Sequence, residues 1–268
     1  MKKITLFSFL IVIAFAACRK ENVIVTPTPV TPTLKKIEKI TNQSIDINGA
    51  DILNTSKYSY NVNGTIKRAD FYFNATNPQN VADDAVNYIY KSGLLEMQNK
   101  DNKIIALCYL NTDGFVAIDS SGNDYSVSTY DSNKYKIKDE HYTKGNKKLE
   151  SVSTYKYEND RLISTSRTHY FLKDKTLYEV IYTYDKDILN TFDDAYFGTF
   201  FLGKHSKYLH TKSVATITNY VGQTNNISSV AKYESNFTYE INAEGYVTKQ
   251  TEKFLDDNTE TVTTYIYK

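Results

Sequence analysis

The sequence predicts an all-β fold, a long antiparallel up-and-down meander of repeated hairpins, strongly twisted or rolled into a half-barrel. Three observations predict it. Tyr occurs 24 times and Trp not at all, and Tyr and Thr suit a half-exposed pleated surface. A short phrase recurs: an aromatic pair at i and i+2, a polar turn, then an apolar residue that opens the next run. Pairs such as Asn63-Gly64 and Asp113-Gly114 fall between the runs, and these residue types accept the positive φ of tight hairpin turns.

Taken in order, the phrase begins at Tyr58-Ser-Tyr60, followed by Asn63-Gly64 and Ile66. It returns at Tyr88-Ile-Tyr90 before Gly93-Leu94, and Asn111 to Phe115 supplies the turn alone. Tyr155-Lys-Tyr157 leads through Asn159-Asp160 to Leu162, and Tyr182-Thr-Tyr184 through Asp187 to Ile188. Phe237-Thr-Tyr239 precedes Gly245 and Val247, and Tyr265-Ile-Tyr267 ends the chain at half a phrase. Residues i and i+2 share one face of a strand, so each pair places two rings on the same side. About 14–17 strands result, too many for a flat open sheet. An outer-membrane barrel fits less well, because Lys156, Thr183, Glu240 and Thr264 alternate with the rings where a lipid-facing band requires apolar residues.

The first residues carry a different signal. Lys2 and Lys3 precede an apolar run from Ile4 to Ala17 that closes on Phe15-Ala-Ala-Cys18. The run is too short to span a bilayer and has the layout of an export signal. Its end resembles the lipobox of bacterial lipoproteins, which implies cleavage after residue 17 and acylation of Cys18. Residues 18–34 hold three of the chain's four prolines, alternating with Thr, a composition that favours an extended tether. Residues 35–268 then form a single all-β domain. Acyl chains would hold it on the membrane at about 0.8 kcal/mol per buried methylene. The expected location is the outer membrane of a bacterial envelope, facing the periplasm or the cell surface.

Removing the leader takes away Lys2 and Lys3 and leaves a near-neutral body, since the whole chain has 32 basic and 31 acidic residues. No bulk field recommends nucleic acid as a partner. With Cys18 acylated, Cys108 stands alone, so neither a disulfide framework nor a Cys-rich metal site is possible. Its surroundings, Ile104 to Leu110, are the most apolar run of the mature chain and predict a buried, inert thiol.

The Tyr-x-Tyr phrase resembles the YD-type repeats of bacterial cell-surface proteins, with Tyr-Asp itself at Tyr130-Asp131 and Tyr184-Asp185. Lipoprotein signal, Thr/Pro tether and hairpins together resemble the Bacteroidota lipoproteins called domain of unknown function 4595. The stretch Gly203-Lys204-His-Ser206-Lys207-Tyr-Leu209 is similar to a segment of that family. The resemblance spans Lys36 to Lys268 and implies a fold and a location but no activity.

Motifs of catalysis are missing from the sequence. His141, His169, His205 and His210 show no metal-ligand spacing. His205 and His210 with Asp193 and Asp194 read as solvated loop residues. The paired acids at Asp83-Asp84, Asp139-Glu140, Asp193-Asp194 and Asp256-Asp257 point to opposite faces of a strand and build no carboxylate dyad. No nucleophile elbow, phosphate loop or dinucleotide fingerprint occurs. Asp119 to Asp124 reads as a turn and not as a calcium loop. No metal or cofactor is expected.

One stretch breaks the rhythm. Leu189 to His210 carries Phe192, Tyr196, Phe197, Phe200, Phe201 and Tyr208 with Lys204 and Lys207. Long insertions in a compact domain are functional or disordered, and so many rings argue for order. The segment is expected to cover a bare sheet face as a plug. The competing expectation is a site in which Tyr196, Phe197 and Tyr208 line a groove rimmed by Lys204, His205 and Lys207. The chain is therefore read as a monomeric, non-catalytic envelope lipoprotein with a structural or partner-binding role. A carrier for a glycan, peptide or lipid on a concave aromatic face, an envelope protein as partner, and a hydrolase with an unrecognised site are the competing readings.

Overall fold

The computed structural model describes residues 35–45, 51–73, 82–171, 174–192, 194–222 and 225–268. The leader, Cys18, the tether and Asp193 lie outside the described residues. Among the described residues sixteen strands follow one another. The first five are β1 (Ile37–Ile45), β2 (Asp51–Tyr60), β3 (Ile66–Tyr72), β4 (Asp84–Lys91) and β5 (Leu94–Asn99). Then come β6 (Ile104–Leu110), β7 (Val116–Ser121), β8 (Asp124–Tyr130), β9 (Lys136–Thr143) and β10 (Lys148–Glu158). After β11 (Arg161–Tyr170) and β12 (Lys175–Thr183), the segment between strands holds a helical turn, α1 (Asp194–Phe197), and a 3-10 turn at Phe200–Leu202. β13 (Lys212–Val221), β14 (Asn226–Ile241), β15 (Val247–Phe254) and β16 (Glu260–Tyr267) complete the chain.

Every strand pairs antiparallel with its neighbours in sequence, and β1 also pairs with β16. The sheet is thus a closed barrel, which corrects the half-barrel expected from sequence. The seam runs from Ile37 opposite Tyr267, through Ile40 opposite Tyr265, to Gln43 opposite Val262. Lys36 and Lys268 extend it by exchanging both backbone hydrogen bonds, at 3.1 and 2.9 Å. The physical reason for closure is the cost of edges. An open meander would leave the N–H and C=O groups of β1 and β16 unpaired, and sixteen twisted strands bring those edges round to one another.

The turns repeat one piece of local chemistry. The N–H of Asn111 donates to the carbonyl of Phe115 (2.7 Å), and the Asn111 Oδ1 accepts from the N–H groups of Asp113 and Phe115 (3.0 and 2.9 Å). Asp131, Asn242 and Asn99 do the same for Asn133 and Tyr135, Glu244 and Tyr246, and Asp101 and Lys103. The fourth residue of each turn has positive φ: Gly114, Lys134, Gly245 and Asn102. A register shift sits beside each turn, at Tyr109/Leu110, Thr129/Tyr130, Glu240/Ile241 and Met97/Gln98. This is a type I turn followed by a left-handed bulge residue. Gly64 and Gly93 also sit at turns with positive φ, as the repeat predicts.

In an up-and-down barrel the even strands all finish at one end. The Tyr-x-Tyr pairs lie at those finishing ends, on β2, β4, β10, β12, β14 and β16. They gather as a layer of rings inside one mouth. Two apolar clusters form there. One joins Ile66, Ala69, Leu95, Cys108, Val116 and Phe201, the other Ile37, Ile40, Leu209, Val247 and Tyr265.

Gly114 isolates the backbone requirement, because a Cβ placed there would meet nothing within 4 Å. At its φ of +82° a β-branched side chain is strained whatever the space. Gly114→Val should therefore lower the urea-unfolding free energy by more than about 1 kcal/mol; an unchanged midpoint would show that the turn does not depend on its left-handed residue.

Candidate functional site

The segment between β12 and β13 makes one circuit of the mouth that holds the aromatic layer. Its two ends meet, with Asn190 N–H donating to the Lys207 carbonyl (2.9 Å) and Leu209 N–H to that of Ile188 (2.8 Å). From this neck it passes the strand ends in turn. Thr191, fully buried, accepts from Val247 N–H (2.8 Å) and lies 3.3 Å from the Tyr267 hydroxyl. Phe192 stacks on Tyr265 at 4.6 Å, and Phe197 meets Tyr58 edge-on at 5.3 Å. The Gly198 carbonyl accepts from Ile66 N–H (3.0 Å), and Phe201 packs near Tyr90 among the first apolar cluster. Lys204 N–H donates to the Lys134 carbonyl and Lys207 N–H to that of Asp160, both at 2.8 Å. His210 closes the circuit among Phe237, Tyr182 and Tyr184.

The residues singled out from sequence do not form one groove. Tyr196 and Phe197 are half-buried in α1 and meet Tyr246 and Tyr58, in the sector of β15 and β2. Lys204 and Tyr208 belong to another sector. The Lys204 Nζ lies 5.5 Å from the Tyr135 ring centre, and the Arg161 guanidinium 5.1 Å from that of Tyr208. Lys204, His205 and Lys207 are exposed. His210 is held among rings, and its burial pushes its pKa down to about 4. No group of three His, Cys, Asp or Glu suited to a metal occurs among the described residues. Cys108 is buried, its thiol pushed up to about 12 by burial and by Asp119 beside it.

Beyond the ring layer the inward face changes character. Cross-strand partners share a face, so the register of β7 to β14 defines a row across the lumen wall: Asp119, Ser126, His141, Ser151, His169, Thr176, Asn219 and Ser229. The next row holds Ser128, Asp139, Ser153, Arg167 and Tyr178. Each row is tied along its length by hydrogen bonds. Ser128 donates to Asp139 (2.7 Å), Thr176 to the Asn219 Oδ1 (2.8 Å), and Asn219 to the Ser229 hydroxyl (2.9 Å). Arg167 is exposed and Tyr178 is 37% exposed, so solvent reaches this wall from inside. A cavity of about 500 Å³ lies at the row's end, lined by Thr176, Asn219, Ser229, Phe171, Asp174 and Tyr220. Sequence reading missed this wall, although the signal was there. Continuing the i+2 face backwards from Tyr155 gives Ser153 and Ser151, and from Tyr182 it gives Val180 and Tyr178.

The outer wall carries ion pairs among exposed apolar side chains such as Ile118, Ile181 and Val230. Lys138 pairs with Glu140 (2.9 Å), Lys212 and Lys232 with Glu234 (2.7 and 2.8 Å), and Lys249 with Glu240 (2.7 Å). Each of these side chains has the parity opposite to the inward rows.

A scan against protein-family models found no match, and a search of the curated proteins found none. Among solved structures the chain is similar to a porin-like protein from Bacteroides uniformis, with a TM-score of 0.64 and 15% identity over 88% of this chain and 99% of that one. A porin-like protein from Bacteroides vulgatus gives a TM-score of 0.54 and 10% identity over 87% and 99%. The likeness is one of fold.

Two outcomes test the rim segment. A Cβ on Gly198 would stand 2.5 Å from the Gly64 carbonyl oxygen, so Gly198→Ala should destabilise strongly and raise proteolysis within 189–210; wild-type resistance would mean that the segment is not seated against the β2–β3 turn. His210 binds its proton more weakly folded (about 4) than at its ordinary value of 6.5. The neutral form is thus the folded form, and stability should fall as pH drops from about 6.5 to about 4, by about 3 kcal/mol in all. His210→Phe should remove that acid-sensitive portion of the melting curve, whereas a curve of the same pH dependence would place the sensitivity elsewhere.

Proposed function

We propose that the protein is a non-catalytic, lipid-anchored component of a bacterial cell envelope, held at the outer membrane with its barrel outside the bilayer. The observation that carries this reading is the outer wall. A strand spanning lipid alternates toward an apolar band, and a Lys or Arg at the midplane of that band costs about 2–4 kcal/mol. Here Glu140, Glu179, Lys232 and Glu234 face outward from the middles of β9, β12 and β14. Such a barrel belongs in water, and the acylated Cys18 with its Thr/Pro tether is what would keep it at a membrane. The fold likeness to proteins from Bacteroides agrees with an envelope setting. The names of those proteins invite a pore, whereas rings of the rim segment and of the strand ends crowd one mouth of this barrel. A structural or partner-binding role remains, with an inner surface that is polar and wet.

Fractionation with Cys18→Ser separates the alternatives. The wild-type chain should be found in membranes, begin at Cys18 and carry added acyl mass, while the variant should be fully soluble and keep its β-rich circular dichroism. A Cys18→Ser chain that stays in the membrane after alkaline extraction would mean that the barrel itself is embedded.

A further inference from the structure

We infer that the lumen wall around His169, Thr176, Tyr178 and Asn219 is a binding site for an uncharged oligosaccharide. The inference deepens the partner-binding part of the proposed function and does not depend on how the chain is anchored. Four features of the wall carry it. First, the wall is concave and reachable, with a cavity of about 500 Å³ at its end, within the size range of sites for small ligands.

Second, the groups that line it match alternating hydroxyls. Thr176, Asn219 and Ser229 form a chain in which each already spends one hydrogen bond on the next. That fixes their orientation and leaves an amide N–H, a hydroxyl proton and several lone pairs for a ligand. Arg167, in the adjacent row, donates one long bond among the described residues, to Ser151 at 3.4 Å. Its planar fork is available to a pair of neighbouring sugar hydroxyls.

Third, ring faces stand beside these polar groups. His169 stacks on Phe171 (6.1 Å, 18°) and meets Tyr178 edge-on (5.7 Å). Phe171 is 52% exposed, an apolar platform for the C–H face of a pyranose. Burial and the nearby Arg167 lower the His169 pKa, so the imidazole is neutral at pH 7, able to donate from one nitrogen and accept at the other.

Fourth, neither sign of charge is gathered at the cavity, where one acid, Asp174, adjoins one base, Lys175. On the wall beyond it Arg167 lies across Ser153 from Asp139, and burial pushes the Asp119 carboxyl up toward its neutral form. A site built to hydrogen-bond hydroxyls rejects ligands that lack them, because its own polar groups would be left unpaired.

The test is an array of neutral oligosaccharides, acidic oligosaccharides and extended peptides, probed with the full chain as expressed, in detergent, and followed by calorimetry on the best ligand. Neutral oligosaccharides should bind. Tyr178→Ala and Asn219→Ala should each weaken binding at least tenfold with the melting temperature nearly unchanged. Glu179→Ala, the outward neighbour of Tyr178, should leave affinity as it is. Binding confined to peptides or to acidic sugars would overturn the inference, as would absence of any neutral-sugar binding. So would neutral-sugar binding that survives both lumen substitutions. None of these failures would bear on the anchoring, which the fractionation reads separately.

Discussion

Everything distinctive in this molecule depends on β1 pairing with β16. A meander has no inside until its first and last strands meet. Once they do, alternate residues acquire two environments, a lumen and an outer wall. The seam is correspondingly well buried. Ile37 is fully covered, and Ile40 and Tyr265, opposite one another, are buried. The rim segment secures it from within, since Thr191 binds both Val247 and the Tyr267 hydroxyl. Closure and the rim segment therefore support one another: the mouth gives the segment a ring to line, and the segment ties strands on either side of the seam.

The abundance of Tyr over Phe has a mechanical explanation at that mouth. Packing the rings alone would favour Phe, which buries no polar atom. The phenols reach backbone carbonyls that strand ends leave open. Tyr60 donates to Ile37, Tyr130 to Val116 (3.0 Å), Tyr184 to Leu162 (2.9 Å), Tyr239 to His210 (2.8 Å) and Tyr267 to Val247 (2.8 Å). Each bond links a strand end to a neighbouring strand, a turn or the rim segment. Burial raises the pKa of Tyr60, Tyr239 and Tyr267, so these hydroxyls remain donors across the physiological range.

Local features were legible in the sequence, and long-range ones were not. The turns could be read because Asn111 or Asp131 acts within four residues of itself, and the Tyr-x-Tyr phrase because its face depends only on parity. Closure could not be read, since β1 carries Ile37 and Ile40 without the phrase, and nothing local marks a partner more than 220 residues away at Tyr265. The packing of rings from 189–210 was expected from their number, but the segment's circuit was not. That path is set by contacts such as Gly198 with Ile66 and Lys207 with Asp160. Tyr196 and Tyr208, close in sequence, consequently fall in different sectors. The lumen wall was hidden for another reason. Ser, Thr and His look like solvent-facing residues until closure turns their face inward.

The most direct measurement of this account is amide hydrogen exchange at β1 and β16 in the native chain. A closed barrel predicts that amides along Ile40–Gln43 and Val262–Tyr265 are protected to the same degree as those of the interior pair β10 and β11, and that all four strands exchange together near the global unfolding limit. Exchange at β1 and β16 that is orders of magnitude faster than at β10 and β11 would mean that the two strands are free edges, and the lumen, the rim circuit and the inward row would lose their basis together.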